Sequence, residues 1–474
     1  MSSMFRSLSI AVSAALLTAC AVGPDFKQPD APTVSRYTRE AVAPSDPLQQ
    51  PVYGSAPPDD WWTLFESDGL NRLMQQAKEG NFTLAAARSS LAQANELLAA
   101  QRGTRLPQVG LNAGAGRQQL GAKFLGELQL PTFTYYAIGA DVSYTLDYTG
   151  GVARSVEQRQ ALADFYQHEL NAAWLSLTGN VALQYFTIVF TEAQIQAVED
   201  LLAEDRQNLD LVTRALQAGI VTKVDELSAR TQLAQDATLL PPLRQQLDVA
   251  RHTLAVLLGK APSEGVDAAA DFVKSDQLRL PRQLPVTLPS ELVHRRPDIL
   301  SAEAQLHAAT AAVGVATANL YPRITLSGAL SQEAVTTGRL FDASSLAWNL
   351  IGGITAPLFD GGTLRAERRA ALEAVQFSAA NYQQTVLQSF GQIANLLQAS
   401  RHDQDLLQAQ ETAQETARAS VDLARASYSA GNVGVLSVLD AERQSLQARL
   451  GLLRAQSQRF TDTAQLLLAM GGGA

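Results

Sequence analysis

The chain has 474 residues and a formal net charge of −9, a balance that argues against nucleic acid as a partner. It has one cysteine, so no disulfide can form within a chain, and its five histidines fall at no metal-ligand spacing. Abundant Ala, Leu and Gln with only 6% aromatic residues favour long packed helices over a string of globular domains.

Residues 1–19 carry one early cation, Arg6, and then an apolar run from Leu8 to Leu17, the pattern of a secretory signal peptide. The run ends Leu17-Thr18-Ala19-Cys20, which resembles a bacterial lipobox. That resemblance implies a mature chain that begins at Cys20 and carries S-diacylglycerol and an N-palmitoyl group there, with no other cofactor. Ala21, in place of an Asp, favours the outer membrane. Each acyl chain contributes roughly 0.8 kcal/mol per buried CH₂, so several chains hold stably. Residues 20–60 read as an extended tether wrapping the outside of the body, because prolines from Pro24 to Pro58 are predicted to preclude regular structure. Asp60-Trp61-Trp62-Thr63-Leu64-Phe65 predicts a small aromatic cluster that docks the first helix.

A first repeat is predicted over 61–259. Helices at about 67–79 and 82–105 lead to two alternating runs that form a hairpin at about 107–147. Val109, Leu111, Ala113 and Ala115 alternate with Gln108, Gly110, Asn112 and Gly114; after a loop at 121–131, Tyr136, Ile138, Ala140, Val142, Tyr144 and Leu146 alternate with Asp141, Ser143, Thr145 and Asp147. Such faces suit a membrane barrel strand; a soluble half-buried hairpin is the competing reading. Tyr148-Thr149-Gly150-Gly151 turns the chain into a helix over about 152–217, followed at the same offset by Arg154 as Arg365 follows the second glycine turn. At about 1.5 Å per residue this helix reaches roughly 100 Å. Ile195, Leu202, Leu209 and Leu216 recur every seventh residue, a coiled-coil seam. Ala218-Gly219 stops it, and a return helix over about 223–258 must break at Pro241-Pro242.

After a linker over 260–289, predicted to join an equatorial belt, a second repeat spans 290–474. Arg296-Pro297-Asp298 starts a helix, Ile299, Ala302, Leu306, Ala309, Val313 and Ala316 keep helical spacing, and Tyr321-Pro322 stops it. A hairpin at about 322–358 follows, with Ile324, Leu326, Gly328 and Leu330 on one face. Then come the glycine turn Phe359-Asp360-Gly361-Gly362 and helices over about 363–429 and 435–469, reversed at Ala430-Gly431. Residues 81–116 align with this text without a gap: Leu84 on Ile299, Ala87 on Ala302, Leu91 on Leu306, Ala94 on Ala309, Leu106-Pro107 on Tyr321-Pro322. The chain is an internal duplication.

The stretch LVHRRPDILSAEAQLHAATAAVGVATANLYPRITLSGAL, within Ser290 to Leu330, resembles the TolC-type outer-membrane factors, specifically the lipoprotein branch that serves resistance-nodulation-division efflux pumps. The likeness covers essentially the whole mature chain. It implies an α+β, mainly α fold, with duplicated helical hairpins in a trimeric helical barrel and four membrane strands per chain. Four strands cannot close alone, and an open edge in lipid costs several kcal/mol per unpaired backbone group. The family solution is a homotrimer with a twelve-stranded barrel. Past residue 20 no continuous apolar run of about 18 residues offers a spanning helix instead.

The resemblance further implies a passive outer-membrane duct of a Gram-negative bacterium, with a periplasmic adaptor protein and an inner-membrane pump as partners, exporting drugs or other small toxic compounds. The exit duct of a type I protein secretion system is the alternative. No catalytic constellation or Gly-rich phosphate loop is evident, so no enzyme is predicted. The family's periplasmic gate falls on Leu436 and Asp440, with Arg443 one turn on; an ordinary surface pair at i,i+3 is the competing reading. In the first copy Ser228 aligns with Asp440, leaving Asp225 and Glu226 to supply charge. Adaptor contact is expected at Gly219, Ile220, Val221 and Thr222 and at Gly431, Asn432, Val433 and Gly434. Arg295-Arg296-Pro297-Asp298 is expected to serve helix initiation and packing, and His294 and His307 ordinary surface or packing roles.

Overall fold

The computed structural model describes residues 21–39, 49–119, 131–265 and 272–472. The signal peptide, Cys20, the middle of the tether, most of the 121–131 loop, part of the linker and the last two residues lie outside these. The described residues divide into two compact units, one falling within 1–29, 90–166 and 301–383, the other within 30–89, 167–300 and 384–474. In chain order the elements are β1 (Gln50–Tyr53), α1 (Asp68–Gly80), α2 (Phe82–Gly103), β2 (Gln108–Gln118), β3 (Phe133–Leu146), α3 (Gly151–Gln217), α4 (Lys223–Ala237), α5 (Leu240–Leu257), β4 (Gln283–Val286), α6 (Pro297–Ala318), β5 (Arg323–Ala334), β6 (Leu346–Thr355), α7 (Thr363–Ser429) and α8 (Val435–Ala469).

The first unit holds an antiparallel sheet in the order β2-β3-β5-β6. Its register carries the alternation of each strand across all four. Leu111 pairs with Ala140, Ala140 with Leu330 and Leu330 with Trp348; Val109, Val142, Gly328 and Leu350 form the next row. One face is therefore mainly apolar yet uncovered, with Val109, Leu111, Trp348 and Leu350 each at least 75% exposed. The opposite face carries Gly110, Asp141, Ala329 and Asn349 in one row. There Asn112 donates to the Asp141 carboxylate at 2.9 Å.

Each hairpin enters its long helix through a glycine with positive φ, Gly150 at +74° and Gly361 at +67°. A side chain at Gly150 would strike Ala21, at 2.6 Å from its Cβ. An aspartate caps each helix start. Asp147 accepts from the N–H of Val152 (2.9 Å) and Ala153 (2.8 Å), and Asp360 from Gly362 (2.8 Å) and Leu364 (2.9 Å). The arginines at equal offset diverge. Arg154 is buried, paired with Asp25 at 2.5 Å and Glu157 at 2.7 Å, while Arg365 is exposed. Val22 N–H donates to the Thr149 carbonyl, and Phe26 stacks on His307 at 4.3 Å. The tether thus docks at its start, and His307 packs there and contacts Glu157 at 3.0 Å.

The second unit is built around an aromatic core. Trp61, Phe65, Tyr185, Phe186, Phe190 and Phe460 are buried together with Leu70, Leu73, Met74 and Ala77, one face of α1. Ser67 caps that helix and meets the Tyr185 hydroxyl at 2.8 Å. The WW segment therefore docks the first helix as expected. Ile195, Leu202 and Leu209 fall in or against buried clusters, as the heptad spacing requires. The α3 helix also contains the one 18-residue window among the described residues apolar enough to cross a membrane, but more than half of it is buried in the protein. The return helix breaks at Thr238-Leu239, and Pro241 and Pro242 occupy the first turn of α5.

One expectation is corrected here. The tether does contain regular structure: β1 pairs in parallel with β4, Gln50 opposite Gln283 through Tyr53 opposite Val286. Proline is tolerated because only alternate N–H groups of a strand donate to one neighbour; Gln50 and Gly54 donate, and Pro51 falls out of phase with them. The linker likewise supplies β4, whose Leu284 and Val286 join a core with Leu292, Ile393, Leu466 and Met470. Arg296 ties this core together, bonding Asp298 through both carboxylate oxygens (2.9 and 2.7 Å) and the Ala469 carbonyl at 3.0 Å.

Candidate functional site

Two helical reversals organise the candidate gate. In the first, Gly219 (φ +72°) donates to Leu216 at 3.0 Å and Ile220 to Ala215 at 2.9 Å. In the second, Gly431 (φ +74°) donates to Tyr428 and Asn432 to Ser427, both at 2.9 Å. Both are glycine-terminated helix ends in which the left-handed residue satisfies carbonyls of the last turn.

The helices that follow start differently. Thr222 and Asp225 form a reciprocal cap: Thr222 N–H donates to the Asp225 carboxylate at 2.8 Å, and Asp225 N–H donates to the Thr222 hydroxyl at 3.3 Å. The Thr222 hydroxyl and N–H hold the Asp225 carboxyl below its ordinary range. Glu226 is buried between Lys223 and Arg230 (2.8 Å), and the Lys223 bond keeps its carboxyl low as well. Both acids are engaged in the local turn, and their lowered carboxyls stay ionised. In the second copy Gly434 caps α8 with no side-chain bond.

Leu436, Asp440 and Arg443 lie on one face of α8, at spacings of four and three. With Val224, Leu227 and Leu439 they line a groove of about 390 Å³. Asp440 accepts from Gln444 at 2.8 Å and meets Arg443 at 3.5 Å, and both ends of that pair remain substantially exposed. Of the residues named for adaptor contact, Ile220 is 76% exposed. Gly219, Thr222, Gly431, Asn432 and Gly434 are also exposed, whereas Val221 and Val433 are half-buried. Beneath them Val212, Ala229, Val435 and Leu439 form the last buried layer.

Sequence reasoning missed the polar node behind this face. Glu442 is only 4% exposed. It accepts from Arg425 of α7 at 3.0 and 2.7 Å and from Asn208 of α3 at 2.8 Å; Arg425 also reaches Glu204 of α3 at 2.9 Å. This node joins the second hairpin to the first beside a cleft of about 560 Å³. The signal was present: Glu442 interrupts the buried series Val435, Leu439, Leu446, Leu450, and an acid on such a seam requires a cation.

Comparison with known proteins gives the geometry its context. The family model described as outer membrane efflux protein matches residues 73–260 and 288–472. The chain is 31% identical over 441 residues to the pyoverdine export outer membrane protein OpmQ of Pseudomonas putida, covering 91% of this chain and 92% of that one. It is 29% identical over 462 residues to the cation efflux system protein CusC of Escherichia coli, covering 96% and 97%. Among solved structures, the outer-membrane channel OprN superposes with a TM-score of 0.86 at 29% identity, over 96% of this chain and 99% of that one. The two matched segments fall on the two copies of the duplication, and the chain belongs to the outer membrane efflux protein family.

Proposed function

We propose that the protein is the lipid-anchored exit duct of a tripartite pump, a homotrimer that passes small toxic compounds from periplasm and inner membrane to the outside. The observation that supports this most is the four-stranded sheet. Its apolar face is uncovered, its other face is polar, and β2 and β6 each pair on one side only. A sheet of this kind is costly in water on one face and costly in lipid at both edges. Closure against two more copies, in a twelve-stranded barrel, relieves both costs. The relatives' names speak of efflux of chemically different cargos, pyoverdine and cations among them, which favours export through a shared duct.

In this reading α3 with α4 and α5, and α7 with α8, form the periplasmic extension. The turns at Gly219–Thr222 and Gly431–Gly434 meet the adaptor, and the inner-membrane pump supplies the energy. Leu436, Asp440 and Arg443 form the constriction, and lipid on Cys20 anchors the tether. Energetically the barrel holds the protein in the membrane, so the lipid adds retention and orientation. A Cys20→Ser variant is expected to lose palmitate labelling, and unchanged labelling would refute lipidation there. For the duct itself, deletion of the gene is expected to sensitise the cell to several unrelated compounds, restored by the gene. Normal susceptibility across a broad panel would count against multidrug export.

A further inference from the structure

Each helical hairpin buries a pair of aspartates that nothing in the gate reading uses. Asp205 of α3 faces Asp236 of α4, and Asp403 of α7 faces Asp462 of α8; all four are less than 10% exposed. The pairs are built alike. The aspartate on the returning helix is held by a glutamine one turn before it: Gln232 donates to Asp236 at 2.7 Å, and Gln458 to both oxygens of Asp462 at 3.0 and 3.1 Å. The aspartate on the long helix is not. Asp205 Oδ2 and Asp403 Oδ2 are buried without a donor as long as every carboxyl is ionised. A proton on one member converts each contact into a hydrogen bond to its partner. The duplication does not account for the likeness. With Gly219 aligned on Gly431, Asp205 falls on Ala417 and Asp236 on Ala448, while Asp403 falls on Thr191 and Asp462 on Ala250.

We propose that one proton shared between two buried aspartates staples each hairpin, so that losing the proton loosens the hairpin. The surroundings strengthen this assignment. Asp205 faces Asp236 from α4, Glu442 from α8 and Glu204 on its own helix, all acids, and Arg425 is already engaged by Glu442 and Glu204. Asp403 faces Asp462 and Arg459 of α8; Arg459 offsets part of the repulsion, and its Nε also donates to Gln49 at 3.2 Å. Burial first, and then the partner aspartate, push the Asp205 and Asp403 carboxyls up to about 7. In an opened, hydrated hairpin an aspartate returns to about 3.9. The closed form therefore binds the proton more tightly, and its advantage is full below about pH 4, falls as pH rises towards 7, and levels off above. If the protein is the duct proposed above, acid tightens its helical part and neutral or alkaline pH loosens it.

Hydrogen exchange of the full-length protein in detergent, corrected for intrinsic rates, tests the staple without relying on the duct reading. Between about pH 5.5 and about pH 8, protection around both pairs is expected to fall roughly tenfold or more. Asp205→Asn should abolish the fall in the first hairpin and leave it in the second; Asp403→Asn should do the reverse. Should Asp205→Asn fail to assemble, Asp236→Asn removes the same shared proton and carries the same expectation. Protection independent of pH in the unaltered protein, or a fall that persists at the substituted pair, would overturn the proposal.

Discussion

The two helical reversals share a glycine, a left-handed turn and a hydrogen-bond pattern, yet they are held unequally. Past Gly219, Thr222 and Asp225 lock the start of α4 and Glu226 ties Lys223 and Arg230 to the same turn. Past Gly431, α8 starts on a bare glycine, Leu436 stands half exposed and Asp440 has only partial, solvent-facing partners. The firmness of the second hairpin comes instead from behind, through Arg425, Glu442 and Asn208. A duplication thus yields one tip capped at its end and one secured further back.

Substitutions can break this comparison at decreasing cost. Arg425→Ala strands the buried Glu442 carboxylate with Asn208 and Asp205 nearby. Because Arg425 is itself half exposed, the expected loss is about 2 kcal/mol, less than for a fully buried pair, read as lowered protection of α7 and α8 in hydrogen exchange. Thr222→Ala removes the reciprocal cap and should cost about 1 kcal/mol, seen as fraying of the first turn of α4 with conductance unchanged. Gly434→Asp supplies the missing cap to α8 and should gain a few tenths of a kcal/mol, slowing exchange at the second tip. The Asp440–Arg443 pair should contribute no more than about 0.5 kcal/mol, so its removal should leave the unfolding midpoint unmoved while altering conduction.

Much of the fold was legible because two periodicities alternate so cleanly. The strands and long helices begin and end within three residues of their predicted limits, set by Pro107, Pro322 and the glycine turns. The alternation also carried the two faces of the sheet, since register in a sheet follows side-chain parity. The short ribbon of β1 and β4 was not legible. Its strands are four residues each, lie more than two hundred residues apart and contain proline, so no local pattern marks them. Leu436, Asp440 and Arg443 were singled out by resemblance to a family motif and line one groove, whereas Glu442, two residues past Asp440, was passed over as part of the same polar text. The aspartate pairs were invisible for a further reason: each joins residues on different helices, and only packing tells a buried acid from a solvated one.

The most direct test of the account is single-channel conductance of the purified protein in planar bilayers. Asp440→Ala combined with Arg443→Ala is compared there with Thr222→Ala, each against the unaltered chain. A rise in conductance for the double variant, with Thr222→Ala unchanged, is the predicted result and places the gate on the second tip. Unaltered conductance in the double variant, or an equal rise from Thr222→Ala, would contradict it.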